Sequence, residues 1–183
     1  LCCEFQGARA GSQLMTEVQK YQVLESHDGF EIRIYEPFIT VSTIESAGLR
    51  SAGNRAFQKL AGYIFGGNSN SQRIAMTAPV TEKPVGDGFE VSFVMPAGMT
   101  LDQMPEPSGD PLKIESHPAQ KIAAIRFSGM VAERSFGNQE QKLKDLLDAA
   151  GITYNSTPIY ARYDAPTTPF FLRRNEVLLS VLN

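Results

Sequence analysis

A chain of 183 residues, 42% hydrophobic and 20% charged, has the length and balance of one globular domain or of two halves sharing a core. A net charge of −3 offers no basic face for releasing counterions from a polyanion, which argues against nucleic acid as a partner. No apolar run approaches the roughly 20 residues of a spanning helix, and no basic amphipathic segment suits a membrane surface, so a soluble domain is expected.

Residues 1–19 show no periodicity and read as a flexible arm or tether ahead of a domain at 20–183. Cys2 and Cys3 are adjacent, so they imply no disulfide framework. Leu1 before Cys2 reads either as the remnant of a bacterial lipoprotein cleavage site or as a trimmed start. The first implies a lipid anchor at Cys2 or Cys3 and an exported or periplasmic protein, the second a cytoplasmic one. His27-Asp-Gly marks a turn. Glu31-Ile-Arg-Ile-Tyr alternates as a half-buried strand, and after Pro37 the β-branched run Phe38-Ile-Thr-Val-Ser-Thr-Ile predicts a second. From Leu49 the period changes. Leu49, Ala52, Ala56, Leu60 and Ile64 share one helical face, and Gly66-Gly-Asn ends it. Arg73–Val80 and Phe89–Met95 predict two further strands.

Met104-Pro-Glu-Pro-Ser-Gly-Asp-Pro is a stiff linker, since its prolines remove backbone donors. Beyond it Leu112–Ser116 and Ile122–Phe127 predict strands. Phe136, Leu143, Leu146, Leu147 and Ala150 predict a helix capped by Gly151, and Ile159–Tyr163 and Val177–Leu182 predict the last strands. The plan strand, strand, helix, strand, strand thus occurs twice, as pseudo-repeats at about 20–100 and 110–183. The expected class is α+β: duplicated β-β-α-β-β units forming a twisted sheet or open barrel, with the helices outside.

Six motifs carry a more specific signal. They are Tyr63-Ile-Phe-Gly-Gly-Asn, Arg73-Ile-Ala-Met-Thr-Ala-Pro-Val, Phe93-Val-Met-Pro, Ile125-Arg-Phe-Ser-Gly, Tyr160-Ala-Arg-Tyr-Asp-Ala-Pro and Leu172-Arg-Arg-Asn-Glu-Val-Leu-Leu. Together and in this order they resemble the SOUL family of haem-binding proteins, over nearly everything from Tyr21 to Leu182. The resemblance implies a distorted eight-stranded antiparallel barrel flanked by two helices. It also implies reversible, non-covalent binding of haem or a related tetrapyrrole in an apolar groove beside the first helix, as carrier or buffer. That groove maps onto Asn54, Phe57 and Ala61 on the helix, and onto Thr168 and Phe170 in the loop before the arginine pair. Asn54 and Thr168 replace residues that are basic in some relatives, which leaves Arg55 as a nearby substitute for holding a propionate.

The chain has two histidines, His27 and His117, both read as loop residues, and one branch of the family has histidine where Ile34 stands. A strong histidine ligand to iron is therefore not expected, and without Cys-x-x-Cys-His neither is covalent attachment. Met76 reads as packing. Arg173 and Arg174 enter a strand on opposite faces, so one is expected to pair with Asp164 or Glu176 or to hold loop carbonyls. No catalytic motif and no metal-ligand set stands out. Tyr35, Tyr63, Tyr160, Tyr163 and Glu176 suggest a polar cluster inside a barrel. Duplicated domains of this architecture also resemble bacterial effector-binding domains, and the alternative function that this resemblance implies is a small-hydrophobe effector-binding domain, or a hydrolase, using the barrel mouth. An envelope protein anchored through Cys2 or Cys3 is the third possibility.

Overall fold

A computed structural model describes residues 16–182. In chain order the elements are β1 (Glu17–Val18), β2 (Tyr21–His27), β3 (Phe30–Tyr35), β4 (Phe38–Glu45), α1 (Leu49–Ile64), β5 (Thr77–Ala78), β6 (Val80–Val85) and β7 (Gly88–Val94). After them come β8 (Lys113–His117), β9 (Gln120–Phe127), α2 (Glu133–Ala149), β10 (Ile159–Arg162) and β11 (Asn175–Ser180). Cys2 and Cys3, and any anchor on them, lie outside the described residues. Among those described, no helix is long and apolar enough to cross a membrane.

Nine strands form one antiparallel sheet in the order β2-β3-β9-β11-β10-β6-β7-β4-β8, while β1 and β5 pair in a short parallel ribbon. The expected eight-stranded barrel does not form. Closure would require β2 to pair with β8, and the sheet instead ends openly on both. A register shift between Val23 and Glu25 distorts β2, and β8 carries Lys113 and Glu115, bridged at 2.8 Å. A bulge and charged side chains are common means of keeping an edge from pairing further. Nor does each β-β-α-β-β unit close on itself. β3 leaves its own half to pair with β9, and β8 leaves its half to pair with β4, so the halves interleave into one sheet. Period-two patterning reveals the face a residue takes, but not its strand's neighbour.

Both helices cover the same face. Residues in direct register share a face, and one such row runs Val91, Glu82, Tyr160, Val177, Ile125 across β7, β6, β10, β11 and β9. α1 lays Ala52, Ala56 and Leu60 over Val41, Val91 and Phe93. α2 lays Phe136, Leu143 and Leu147 over Ala123, Ile125, Val177 and Leu179. The helices also meet at their starts, where Glu133, the first residue of α2, accepts a hydrogen bond at 3.0 Å from the Leu49 amide. A carboxylate there satisfies one of the free N–H groups that open α1.

Two sequence expectations shift. Tyr21–His27 is a strand, hairpinned to β3 through Asp28-Gly29, where Gly29 takes φ 90°. The strand expected at Arg73–Val80 instead divides, because Pro79 interrupts the run and the long pairing with β7 begins at Val80. The Gly-Gly-Asn after α1 anchors the linker. Buried Asn68 donates to the Tyr63 and Gln72 carbonyls and accepts from the Gln72 amide. The linker then lies against this loop through Ser69 N–H to the Glu106 carbonyl and Tyr63 O–H to the Pro105 carbonyl.

Candidate functional site

One residue row beyond the shared core, the helix-bearing face of the sheet opens. The row runs Phe93, Val80, Arg162, Asn175, Phe127 across β7, β6, β10, β11 and β9. Val80, Arg162 and Phe127 are half-buried, so the floor here is not sealed. On one side stands α1, whose Phe57 packs its edge on Phe93 with centroids 5.4 Å apart and stays 37% exposed. On the other stands the loop before β11. It is tied in by the Asn175 side-chain amide to the Gly129 carbonyl at 3.1 Å and by the Gly129 amide to the Phe170 carbonyl at 3.0 Å. Phe170, Phe171 and Leu172 form a short 3-10 turn, and all three, with Met130, are more than half exposed. Exposed apolar side chains thus stand at both ends of this row, Phe57 at one and the Phe170 turn at the other, and the half-buried strip between them is the candidate shelf.

The groove residues named from the sequence divide as follows. Phe57 stands at one end of the strip. Asn54 and Arg55 are exposed on α1, and Ala61 is buried against the sheet at 9% exposure. Thr168 is half-buried, with its carbonyl held by Arg173 Nε at 2.7 Å; Arg173 also donates to the Pro166 carbonyl. Phe170 is exposed at the other end. Arg173 thus braces the loop from within, as expected of one arginine of the pair. Met76 packs against the core beneath α1.

Sequence reasoning missed the charged pair beneath the shelf. Glu82 is fully buried on β6, and its Oε1 touches Nη2 of Arg162 on β10. α1 rests directly on this pair at Gly53, where any Cβ would collide with both side chains. Among the described residues, Glu82 Oε2 and Arg162 Nε have no hydrogen-bond partner, and Oε1 has only its contact with Arg162. Burial pushes the Glu82 carboxyl up to about 7, and the adjacent guanidinium offsets part of the rise. Strand parity carried a signal. Glu82 and Arg162 fall on the inward phase of their strands, where a charge needs a partner.

The polar cluster expected around Glu176 forms in part, on the other face of the sheet. Glu176 Oε1 accepts from Arg174 Nε and Nη2 at 3.0 and 2.8 Å and from Arg33 Nη2 at 3.2 Å. Its Oε2 accepts from Arg33 Nη1 at 2.7 Å and Tyr163 O–H at 2.8 Å. Tyr35 and Tyr21 complete the group through Arg33 and Arg174. Burial, then the Glu176 charge, hold the Tyr163 hydroxyl far above its usual range. Burial opposes the Arg33 charge, but its bonds to Glu176 prevail and keep it firmly protonated. Both carboxylate oxygens are saturated, so this cluster is a brace between β3 and β11 rather than an available base. Tyr63 and Tyr160 lie elsewhere, bonded to the Pro105 carbonyl and to Glu140.

His27 and His117 sit on the edge strands β2 and β8, each four strands from β10. At about 4.8 Å per strand, that is about 19 Å along the sheet from Arg162 at the centre of the shelf. His27 stacks on Phe30; His117 stacks on Phe38 and bonds Thr40 at 2.8 Å, with burial lowering its pKa. Among the described residues no three His, Cys, Asp or Glu side chains gather as a metal site. A separate crevice of about 100 Å³, between the β1–β5 ribbon and Pro96–Met99, is too small for a macrocycle.

An open antiparallel sheet, two helices on one face and a half-open apolar shelf at its end define a class of α+β module. Comparison places the chain within that class. Residues 16–180 match the family model described as SOUL heme-binding protein, and the chain belongs to this family. It is 35% identical over 163 residues to heme-binding protein 2 of Mus musculus, covering 82% of this chain and 77% of that protein. With heme-binding protein 1 of Bos taurus it is 28% identical over 149 residues, covering 78% and 76%. Among solved structures the EcmrR C-terminal domain superposes with TM-score 0.60 at 11% identity, covering 89% of this chain and 98% of that one. A hydrolase from Listeria innocua superposes at 0.53 and 8% identity, covering 87% and 94%. At such identities these two likenesses show the shared fold alone.

Proposed function

We propose that the shelf holds haem or a related tetrapyrrole reversibly, as a carrier or buffer. The observation that supports this reading is a pair of exposed aromatics at the two ends of the half-buried row Val80, Arg162, Phe127, Phe57 packed on Phe93 and Phe170 tied through Gly129 to Asn175. A flat apolar ring laid there stacks on Phe57 and is covered by the Phe170 turn, with Asn54, Arg55 and Ala61 along the helix and Thr168 in the loop. Membership of the family and the names of the relatives support the choice of ligand. His27 and His117 lie on the two edge strands, each four strands from β10, which supports a ring held by contact and by its acid groups rather than by a histidine ligand.

Burying about 300 Å² of porphyrin at about 25 cal/mol per Å² contributes roughly 7 kcal/mol. Lost rigid-body freedom removes several of these, which leaves weak to micromolar affinity. That suits a carrier that must release its cargo. The engaged oxygens of Glu176 weigh against the hydrolase form of the alternative reading. Titration with haemin, followed by the Soret band, tests the proposal. A saturable shift is expected; a shift no larger than that given by an unrelated β protein of similar size refutes it.

A further inference from the structure

Glu82 and Arg162 combine features that packing alone does not require. A fully buried carboxylate normally has its oxygens hydrogen-bonded, yet Glu82 has none among the described residues beyond its ionic contact with Arg162. A guanidinium has five N–H donors in a planar fork. Among the described residues Nη2 of Arg162 meets Glu82 and its Nε finds no acceptor, while 17% of the side chain reaches solvent. Arg162 also occupies the middle of the shelf floor, between Val80 and Asn175. The two positions where basic residues were sought for a ligand's acid groups are Asn54 and Thr168, neither of them charged. Arg55 is exposed on α1, two residues past Gly53 and so about 200° round the helix from the residue that meets the pair.

We propose that Arg162 grips an acid side chain of the bound ligand, exchanging its contact with Glu82 for the ligand's carboxylate while Glu82 takes up a proton from solvent. The fork geometry suits a carboxylate. Glu82, left in the interior without its cation, is neutral once protonated and so avoids an uncompensated buried charge. Its elevated proton affinity in the free protein makes the exchange accessible near neutral pH. The other charged and titratable groups around it are engaged or turned outward. On α2, Glu140 is bonded to Lys144 and Tyr160, and Glu133 to the Leu49 amide. On β4, Glu45 is bridged by Lys59 of α1, and Arg50 and Arg55 are exposed on that helix. On β7, Glu90 lies in register with Lys83, on the phase opposite Glu82 and Val91, and bonds Ser42. Arg162 is the cation that touches Glu82, so loading and unloading of the shelf are coupled to pH through this pair.

The inference rests on the tetrapyrrole reading, and its test separates the two. Haemin is titrated between about pH 6 and 9 into the wild-type chain, Glu82→Gln, and the neutral double variant Glu82→Gln/Arg162→Gln, with proton exchange read by calorimetry in two buffers of different ionisation enthalpy. Wild-type protein is expected to take up about one proton per haemin near pH 8 and to lose affinity by up to about tenfold per pH unit above that. Glu82→Gln should take up no proton at this site, lose that part of the slope, and bind near pH 8 at least as tightly as wild type. The double variant should bind about tenfold or more weakly than Glu82→Gln. Equal proton uptake in wild type and Glu82→Gln overturns the assignment and leaves haemin binding standing, and it does so even where the double variant fails to fold. Undiminished affinity in a folded double variant overturns it as well. If wild-type protein shows no saturable haemin binding, the tetrapyrrole reading falls and the inference with it.

Discussion

Replacing Glu82 by glutamine should stabilise the protein at alkaline pH, although it removes one partner of an ion pair. Burial raises the carboxyl from its ordinary 4.5 to about 7 in the folded protein. The folded chain therefore binds this proton more tightly than the unfolded chain, and stability falls as pH rises from the ordinary value through about 7. At about 1.4 kcal/mol per pH unit, the full penalty is about 3 kcal/mol, reached above pH 7. Glutamine has nearly the same shape, cannot ionise, and so escapes the penalty. Urea unfolding at about pH 5 and pH 8 reads the difference. The two proteins should lie close together at the lower pH, while the variant should gain roughly 2–3 kcal/mol on wild type at the higher. A variant less stable than wild type at the higher pH would refute the reasoning, because attraction to Arg162 would then outweigh desolvation.

Phe57→Asp should weaken haemin binding by about tenfold or more and cost roughly 2 kcal/mol of stability, below the about 3–5 of a fully buried phenylalanine; global collapse on chemical unfolding would instead place Phe57 in the core. Gly53→Ala should destabilise by roughly 1–2 kcal/mol in urea, since its methyl group meets the ends of both members of the buried pair, and their displacement outweighs the helix propensity gained. Glu176→Ala leaves two arginines facing each other without their carboxylate, and a loss of about 3–5 kcal/mol is expected; an unchanged midpoint would show that the brace between β3 and β11 contributes little. Asn68→Ala should cost roughly 1–3 kcal/mol, because the Tyr63 and Gln72 carbonyls lose their donor, and proteolysis within the 104–111 linker should quicken.

The amino-acid sequence by itself determined the faces. The period from Leu49 to Ile64 marks the side of α1 that meets the sheet, and Phe136, Leu143 and Leu147 do the same for α2, because burial follows helical spacing whatever lies opposite. Alternation likewise set β3, and the β-branched run from Phe38 set β4, each to within a residue or two of its observed bounds. Short motifs sufficed for the family, and two of their residues serve local structure, Asn68 bonding the Tyr63 and Gln72 carbonyls and Arg173 those of Thr168 and Pro166. Neighbour choice needed the tertiary structure. That β3 would cross to β9 and β8 to β4, leaving an open sheet where a barrel was expected, depends on pairings between distant segments that period-two patterning does not encode. The same holds for the shelf's centre. Glu82 and Arg162 lie 80 residues apart, and their union beneath Gly53 exists because β6 and β10 happen to be adjacent at the middle of the sheet.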